Sequence, residues 1–309
     1  MVVVYGEILV DMVKEKGNNS FNYFIGGAPF NVSYAISKVN KNVLFVGNVG
    51  NDLLGKFLKD EVKNNNLDNS YVYIDNNHNT TQAFVINDET GERSFCFARK
   101  FCADYYIPVS SLSLIKKANI IHLGSLMLST KAGLNFANKV INKAKAENKI
   151  ISFDINYRDD IYNSKEEAIK VYKDIYKKCD IIKISNDELE LLTNKSDLLE
   201  ALKDFTNNNQ KVFVTLGKDG SLLYFNNKVI KASTIKVNPI DTTGAGDAFY
   251  GTMLGFIDKY GYDLFFNDEE LIKECLKKAN VQGAMATLKK GAISGVVEEE
   301  ILEKESMNS

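Results

Sequence analysis

The chain has 309 residues, of which 45% are hydrophobic and 25% charged, so it is long enough and apolar enough to bury a large core. A formal net charge of −2 and an isoelectric point near 5.9 indicate no basic surface for nucleic acid or an anionic membrane. No apolar run approaches the roughly 20 residues of a membrane span, and the acidic N-terminal segment is unlike a signal peptide, so we expect a cytosolic protein.

Short apolar segments alternate along the chain with amphipathic, charged ones. The first kind is typical of buried parallel strands, and the second of the helices that connect them. The alternation therefore predicts an α/β fold with a layered, mostly parallel sheet. The predicted strands are residues 2–5, 43–47, 120–123, 150–154, 181–184 and 212–216, and the predicted helices are residues 53–64, 131–147, 165–178 and 198–205.

Two segments interrupt this alternation. Polar and apolar side chains alternate over residues 22–25, and again over residues 81–86 and 94–98 within the longer segment 71–106. A period of two is typical of half-exposed strands. We therefore expect a second, smaller group of strands built from separate parts of the chain.

A pair of glycines, Gly26 and Gly27, precedes a segment in which Pro29 would initiate a helix. Apolar side chains then recur at helical spacing as far as Asn40, where the helix should end. After glycine, asparagine most readily takes the left-handed conformation that ends many helices. We therefore expect a flexible turn before this helix and a left-handed residue at Asn40.

The most informative stretch is residues 241–249, which read Asp-Thr-Thr-Gly-Ala-Gly-Asp-Ala-Phe. Apolar residues recur at helical spacing beyond Asp247, so a helix should begin near Gly246 with a glycine-rich turn in front of it. The free N–H groups and the positive dipole end of a helix N-terminus suit a phosphate. Asp247 could remove a proton from an attacking hydroxyl, so the stretch indicates phosphoryl transfer to an alcohol.

Other glycine-rich and polar segments have to be weighed beside it. Residues 50–57 match the spacing of a P-loop, but Phe57 replaces the hydroxyl that would hold magnesium, so we reject them as a nucleotide site. Residues 215–220 follow a predicted strand and are either a plain turn or a nucleotide contact. Ser185 and Glu188 have the spacing of a capping box at the start of a helix.

Residues 26–33 with Gly50, and residues 241–254, resemble the two signatures of the PfkB (ribokinase-like) carbohydrate kinases, and the likeness extends over nearly the whole chain. This resemblance implies a single kinase domain with a three-layer, mostly parallel sheet and a small discontinuous β lid from about residues 12–27 and 71–106. It implies ATP-dependent phosphorylation of a hydroxymethyl group on a small sugar. It also leaves open a homodimer formed through the lid.

The resemblance assigns roles to individual residues. The chain departs from the family at Asn40, where Gly or Ser is expected, and at Ser185, where Asn is expected. An ion pair with Asp154 or Asp159 is an equally good reading of Arg158. The implied base is Asp247, with an anion hole at Gly244, Ala245 and Gly246. Implied sugar-binding residues are Asp11, Gly26, Gly27, Asn31, Arg99 and Arg158. Implied nucleotide-binding residues are Lys183, Ser185, Thr215, Gly217, Gly220 and Asn280. Glu188 would hold magnesium-bound water, and Asp241 would be a ligand of a monovalent cation such as K⁺.

Within that family the chain is most similar to fructokinases. Residues 6–11, 27–31 and 153–158 resemble fructokinase segments, as does Arg99 ahead of residues 103 and 104. The expected reaction is therefore the ATP-dependent conversion of fructose to fructose 6-phosphate. Aminoimidazole riboside or another nucleoside, ribose and 2-keto-3-deoxygluconate remain alternative acceptors, and a non-catalytic sugar-binding regulator is an alternative of another class.

Overall fold

The computed structural model describes residues 1–15, 20–67, 70–87, 93–158, 160–207 and 209–307. Strands and helices alternate through most of this part of the chain, and the segments expected from the sequence are present with ends shifted by a few residues. The strands are β1 (Val2–Tyr5), β2 (Leu9–Lys14), β3 (Phe21–Gly26), β4 (Val43–Gly50), β5 (Tyr71–Asp75), β6 (Gln82–Asn87), β7 (Arg93–Ala98), β8 (Ile120–Leu123), β9 (Ile150–Asp154), β10 (Ile181–Ser185), β11 (Lys211–Thr215), β12 (Ser221–Phe225) and β13 (Lys228–Ala232). The α-helices are α1 (Ala28–Val39), α2 (Leu53–Asn64), α3 (Lys131–Ala146), α4 (Lys165–Tyr176), α5 (Asn186–Thr193), α6 (Leu198–Phe205), α7 (Ala245–Tyr260), α8 (Tyr262–Asn267), α9 (Glu269–Ala286) and α10 (Glu299–Met307).

The larger sheet has nine strands in the order β13-β12-β11-β10-β9-β8-β1-β4-β5. The strands from β11 to β5 in that order run parallel, and β12 and β13 continue the sheet in antiparallel pairing. The chain builds outward from β1 in both directions, because β4 lies on one side of it and β8 on the other. The predicted mostly parallel sheet is therefore confirmed. In such sheets, ligands bind at the carboxyl ends of the strands where the order reverses.

Helices cover both faces of the larger sheet, and strand side chains point alternately to each face. Along β1, Val2 and Val4 pack in a core with α1, α7 and α9. Val3 and Tyr5 pack in a second core with α3, α4 and α6. Both faces are apolar, which explains why these strands read as continuous apolar runs in the sequence. No helix in the described ranges is long and apolar enough to cross a membrane.

A small sheet of four strands has the order β3-β2-β6-β7. In it, β2 pairs antiparallel with β3 and parallel with β6, and β6 pairs antiparallel with β7. The strand β5, which was expected to belong to this group, instead pairs in parallel with β4 at the edge of the larger sheet. The expected boundary at residue 71 is thus too early, because Tyr71–Asp75 finds its hydrogen-bond partners on β4.

Helices α1 and α7 pack closely because α7 carries glycines where the two helices meet. Gly251 lies against Val32 and Ala35 of α1, and a Cβ at Gly251 would be only 2.7 Å from the Cβ of Ala35. Gly255 makes the same kind of contact with the side chain of Val39. Each substitution would push the helices apart, since packed cores leave no room for an added methyl group.

Asn40 does not take the left-handed conformation expected of it. It has φ −151° and ψ 109°, which is extended backbone. Its side chain supplies the reason, because Nδ2 donates to the Asp258 carboxylate near the end of α7 at 2.8 Å and Oδ1 accepts from the amide of Asn42 at 3.1 Å. Asn40 thus ties the end of α1 to α7 through its side chain, a role that the helix-ending argument did not consider.

Candidate active site

Loops at the carboxyl ends of the central strands and the first turn of α7 enclose a cavity of about 320 Å³, here called the smaller cavity. Glu7 follows β1, Arg158 follows β9 and Lys183 lies on β10, so the topology brings two loops and a strand to one place. The implied site residues that line the smaller cavity are Asp11, Gly27, Asn31, Arg158, Lys183, Gly244, Ala245, Gly246 and Asp247.

A larger cavity of about 860 Å³ adjoins the smaller one. Thr242, Ala245 and Gly246 line both cavities, so the turn at the start of α7 forms the boundary between them. Their volumes lie in the range of small-molecule sites, with room for one small ligand in the smaller cavity and a longer one in the larger. The implied site residues that line the larger cavity are Thr215, Gly217, Gly220, Ala245, Gly246 and Asn280.

The turn before α7 depends on glycine. Gly244 has φ 77°, in the left-handed region, and a Cβ there would lie 2.6 Å from the carbonyl oxygen of Ala292. Among the described residues no side chain caps the start of α7, although helix N-termini leave amide donors that need partners. The helix dipole and the amides of the first turn suit an anion, which is the role that the resemblance implies for Gly244, Ala245 and Gly246. The amide of Ala245 also donates to the carbonyl of Thr242 at 3.4 Å.

Asp247 lies in the first turn of α7 and faces Asn31 in the first turn of α1. The Asn31 amide Nδ2 donates to Asp247 Oδ2 at 2.8 Å, while Asn31 Oδ1 is buried without a hydrogen-bond partner. Desolvation by the surrounding protein raises the pKa of Asp247, and Lys183 and the bond from Asn31 act against that rise. A carboxylate with a raised pKa beside an anion site is suited to accept a proton from an incoming hydroxyl.

Lys183 lies beneath the same turn in a buried ion pair. Its Nζ is 3.0 Å from Asp154 Oδ1 and 3.2 Å from Oδ2, and an added Cβ on Gly246 would be 2.9 Å from that Nζ. Burial acts to lower the pKa of Lys183, but the charges of Asp154, Glu188 and Asp247 outweigh it and raise that pKa. Lys183 therefore keeps its positive charge next to the anion site, as a phosphate-binding role requires.

Asp241 holds the loops around the turn together. Its Oδ1 accepts from the amide of Thr243 at 2.8 Å, and its Oδ2 accepts from the amide of Gly291 at 3.0 Å. The residue is buried, and its own amide donates to the carbonyl of Thr287. Asp241 therefore has a structural role in joining the turn to the segment around Gly291, beside the cation-binding role that the resemblance implies.

Ser185 and Glu188 form the capping box that their spacing indicated. Ser185 Oγ accepts from the Glu188 amide at 3.2 Å, and Glu188 Oε2 accepts from the Ser185 amide at 2.8 Å. Glu188 Oε1 also accepts from the amide of Tyr157 at 2.7 Å, which ties the loop after β9 to the start of α5. Neither residue lines either cavity. Glu188 could contact a metal ion or its waters only through the lone pairs that these hydrogen bonds leave.

The two arginines that were implied for the sugar have different surroundings. Arg158 lines the smaller cavity and donates to the carbonyl oxygen of Tyr157 at 2.7 Å. Asp159, one of its proposed ion-pair partners, lies outside the described residues, and Asp154 is paired with Lys183. Arg99 does not line the smaller cavity, because its buried guanidinium pairs with Asp104 and stacks on the ring of Tyr105.

The two glycines before α1 serve the geometry of the smaller cavity. Gly26 leaves space for the carboxylate of Asp11, which packs on its Cα, and Gly26 does not itself line the cavity. Gly27 has φ 105°, and a Cβ there would lie 2.6 Å from the carbonyl oxygen of Glu7. Both positions therefore require glycine for packing reasons, whether or not they also act as a hinge.

The larger cavity is also shaped by backbone contacts. Gly220 has φ 95° and packs on the backbone of Ala232, whereas Gly217 has φ 59° and borders open space. Asn280 on α9 donates through Nδ2 to the carbonyls of Ala232 and Ser233 at 2.9 and 3.0 Å. Asn280 thus fixes the segment after β13 that lines the larger cavity.

Sequence reasoning missed Glu7, which lines the smaller cavity, and the pairing of Asp154 with Lys183. A signal for Glu7 was present, because an acidic residue directly follows the apolar strand β1 at the carboxyl edge of the predicted sheet. Asp154 ends β9 in the same way. Their burial could not be read from the sequence, since it depends on elements far away in the chain.

Comparison with known proteins gives a family for this arrangement. Residues 1–299 match the model of the pfkB family of carbohydrate kinases. A curated relative, probable fructokinase-2 of Arabidopsis thaliana, is 35% identical over 304 residues, which cover 95% of this chain and 92% of that protein.

Two solved structures have the same fold over essentially their whole length. Fructokinase from Xylella fastidiosa with bound ATP has a TM-score of 0.91 and 27% identity, covering 100% of this chain and 99% of the other. A fructokinase double mutant from Vibrio cholerae O395, in fructose-, ADP- and potassium-bound form, has a TM-score of 0.88 and 31% identity, covering 98% and 97%. With its glycine-rich turn and Asp247 placed between two cavities, the chain belongs to the pfkB family of carbohydrate kinases.

Proposed function

We propose that this kinase transfers the γ-phosphoryl group of ATP to the 6-hydroxyl group of fructose. The observation that carries the proposal is the turn at Thr242, Ala245 and Gly246, which borders both cavities and holds Asp247 at its end. A sugar in the smaller cavity and ATP in the larger one would meet at this turn. The named relatives support the same pair of substrates: the Arabidopsis thaliana protein is named a probable fructokinase, and the two solved fructokinase structures contain ATP, or fructose with ADP.

The chemical roles follow from the contacts around the turn. Asp247 accepts the proton of the attacking hydroxyl as that oxygen bonds to the γ-phosphorus of ATP and the bond to ADP breaks. Charge on the transferring group is met by the amides of Gly244, Ala245 and Gly246 and by the cation of Lys183. These donors are fixed before the reaction, so they stabilise the transition state without reorganisation.

Magnesium enters this scheme as part of the substrate MgATP. The described residues contain no group of three or more His, Cys, Asp or Glu side chains that could hold a metal by themselves. Magnesium usually keeps several of its waters and binds mainly to the phosphates of ATP. Glu188, with a free lone pair on each oxygen, would accept from magnesium-bound water. For K⁺, Asp241 is the proposed ligand, and the potassium-bound Vibrio cholerae fructokinase supports a test of K⁺ activation.

The lining of the smaller cavity favours a neutral sugar over an acidic one. Glu7, Asp11 and Asp247 each bring a carboxyl group, whereas the charge of Lys183 is already matched by Asp154. Arg158 is the other cation among the described lining residues. A carboxylate substrate such as 2-keto-3-deoxygluconate would meet repulsion here, so a polyol is preferred.

The small sheet contributes Leu9, Asp11 and Phe97 to the smaller cavity, and we propose that it acts as a lid that closes when sugar binds. Closure would exclude water, so that phosphate passes to the sugar rather than to water. Pairing of two copies through the small sheet is a further prediction, which a measurement of molar mass in solution would test.

An acceptor screen with one active-site variant tests the proposed function. Purified protein with MgATP is assayed for ADP release with fructose, ribose, 2-keto-3-deoxygluconate, mannose and aminoimidazole riboside, and the product is identified by NMR. Fructose should give the highest kcat/KM. Asp247→Asn should lower kcat by roughly 10²–10⁴ with little change in sugar affinity, because it removes the base. Better turnover of another acceptor would refute fructose, and near wild-type kcat in the variant would refute the mechanism.

A further inference from the structure

Glu7 has a carboxyl group that the assigned roles leave unexplained. It lies in the connection between β1 and β2, the whole residue is shielded from bulk water, and neither carboxyl oxygen has a hydrogen-bond partner. Burying such a group without partners is unfavourable, and buried polar groups in folded proteins nearly always have them. The residue nevertheless lines the smaller cavity, so a molecule bound there could supply what the protein does not.

The charged groups that face Glu7 do not satisfy it. Arg99, Asp104 and Asp247 are the charged neighbours that act on it. Arg99 is paired with Asp104 through Nη2, and its Nε and Nη1, although buried without partners, make no hydrogen bond to Glu7. Burial raises the pKa of Glu7 to about 8, with Arg99 opposing the rise. At pH 7 the carboxyl is therefore mostly protonated, and it can donate one hydrogen bond and accept others.

The rest of the wall restricts what can approach. Gly124 packs against Glu7, since a Cβ on Gly124 would be 2.8 Å from Glu7 Oε2. Asn31 Oδ1 is a second buried polar atom without a partner on the same cavity. A ligand that carries several hydroxyl groups can both donate to and accept from these atoms, whereas an anion would meet the carboxyl groups of Asp11 and Asp247 on the same cavity.

We propose that Glu7 recognises the acceptor by exchanging hydrogen bonds with one hydroxyl group of the sugar in the smaller cavity. This inference rests on the proposed function. It adds a specificity-determining residue to the site and predicts that one particular hydroxyl, distinct from the one that is phosphorylated, is read by a carboxyl group. A site built to hydrogen-bond a hydroxyl discriminates strongly against analogues that lack it, because its polar group is then left unpaired.

The test pairs Glu7→Met, which keeps the length of the side chain but removes the O–H donor and both oxygen acceptors, with fructose analogues that each lack one hydroxyl group. For fructose, kcat/KM should fall roughly 10- to 100-fold, the range of a hydrogen bond to a charged or strongly polar group, with the KM for ATP unchanged. For the analogue that lacks the partner hydroxyl, the variant and the wild type should differ by less than about 3-fold, since removing either side of one contact costs the same energy only once.

Asp104→Asn serves as the matched control. It also removes a carboxylate from the charge cluster and disturbs Arg99, yet Asp104 does not line the smaller cavity. Any loss it causes should be equal for all analogues. An equal loss for all analogues with Glu7→Met, or no loss at all, would overturn the proposal and leave Glu7 with only its electrostatic interaction with Arg99.

Two further measures keep the outcome decisive. If Glu7→Met does not fold, as judged by thermal melting, Glu7→Asp withdraws the carboxyl by one methylene and should give the same analogue-specific loss. If the wild-type kinase prefers another acceptor, the proposed function fails, and the analogue series is built on that acceptor instead. Failure of the fructose assignment and failure of the Glu7 inference are thereby read from different measurements.

Discussion

The hydrogen bond from Asn31 to Asp247 should set the lower end of the pH range in which the kinase works. Asn31 Nδ2 donates to Asp247 Oδ2 at 2.8 Å and holds the pKa of that carboxyl down against the effect of burial. Asn31→Leu keeps the size of the side chain but removes the donor. The pKa of Asp247 should then rise, so a larger fraction of the base is protonated at a given acidic pH.

The size of the shift follows from the strength of the bond. A hydrogen bond to a charged group is worth about 1.5–3 kcal/mol, so losing it should disfavour the ionised form of Asp247 relative to the protonated form by roughly 10- to 150-fold. The profile of kcat/KM for the sugar against pH reports the free enzyme, in which this bond is seen. Its acid limb should move to higher pH, with kcat/KM on that limb lowered by up to that factor. The KM for the sugar should rise as well, because Asn31 Oδ1 is also proposed to face the ligand.

The assay is ADP release at saturating MgATP across the pH range in which the wild type stays folded. Asn138→Leu on α3 is the control. It also removes a side-chain amide that donates a hydrogen bond, in this case to the carbonyl of Leu134, and Asn138 lines neither cavity. Its acid limb should coincide with that of the wild type. An unmoved acid limb in Asn31→Leu would refute the assignment of Asp247 as the base held by Asn31.

The remaining predictions concern stability and motion. Lys183→Met should destabilise the fold by about 3–5 kcal/mol in urea denaturation, because Asp154 is left buried and unpaired, and adding Asp154→Asn should recover much of that loss. Gly27→Val should lower the melting temperature, because a side chain at φ 105° costs about 1–3 kcal/mol and would meet the carbonyl oxygen of Glu7. If kcat and KM per folded molecule are unchanged in this variant, Gly27 is not a hinge of the lid. Glu7 has a pKa of about 8 when folded against 4.5 when unfolded, so the folded state holds an extra proton between those values. Wild-type stability should therefore fall as pH rises from about 5 to 8, by at most about 1.4 kcal/mol per pH unit, relative to Glu7→Gln; parallel melting curves for the two proteins would contradict this.

Most of the fold could be predicted from the sequence, because each strand and helix has its own hydrophobic pattern. The apolar runs of β1, β8 and β9 were bounded correctly, since both faces of these strands are buried and most of their side chains are apolar. The edge strand β5 was assigned to the wrong sheet. Its residues are half-exposed, which is equally true of a strand in the small sheet, and only the pairing partner distinguishes the two.

The site was less predictable where roles depend on partners that are distant in sequence. Asp247 was recognisable because its chemistry is contained in one local stretch. Arg99 was placed at the sugar by resemblance, yet Asp104 holds it away from the lining of the smaller cavity. Glu7 was missed because a single acidic residue after a strand is common. Its shielding from water could not be predicted, since it depends on residues that are distant in the chain, such as Gly124.

The close approach of α1 and α7 makes catalysis sensitive to residues that no substrate touches. Gly251 and Gly255 lie one and two turns beyond Asp247, and they set the spacing at which Asn31 and Asp247 meet. A methyl group at either position would displace the base relative to its hydrogen-bond donor. In a survey of random variants, substitutions at these buried glycines should therefore lower activity as much as substitutions of the active-site residues. An engineer who wishes to change the acceptor should exchange α1 and α7 together as one unit.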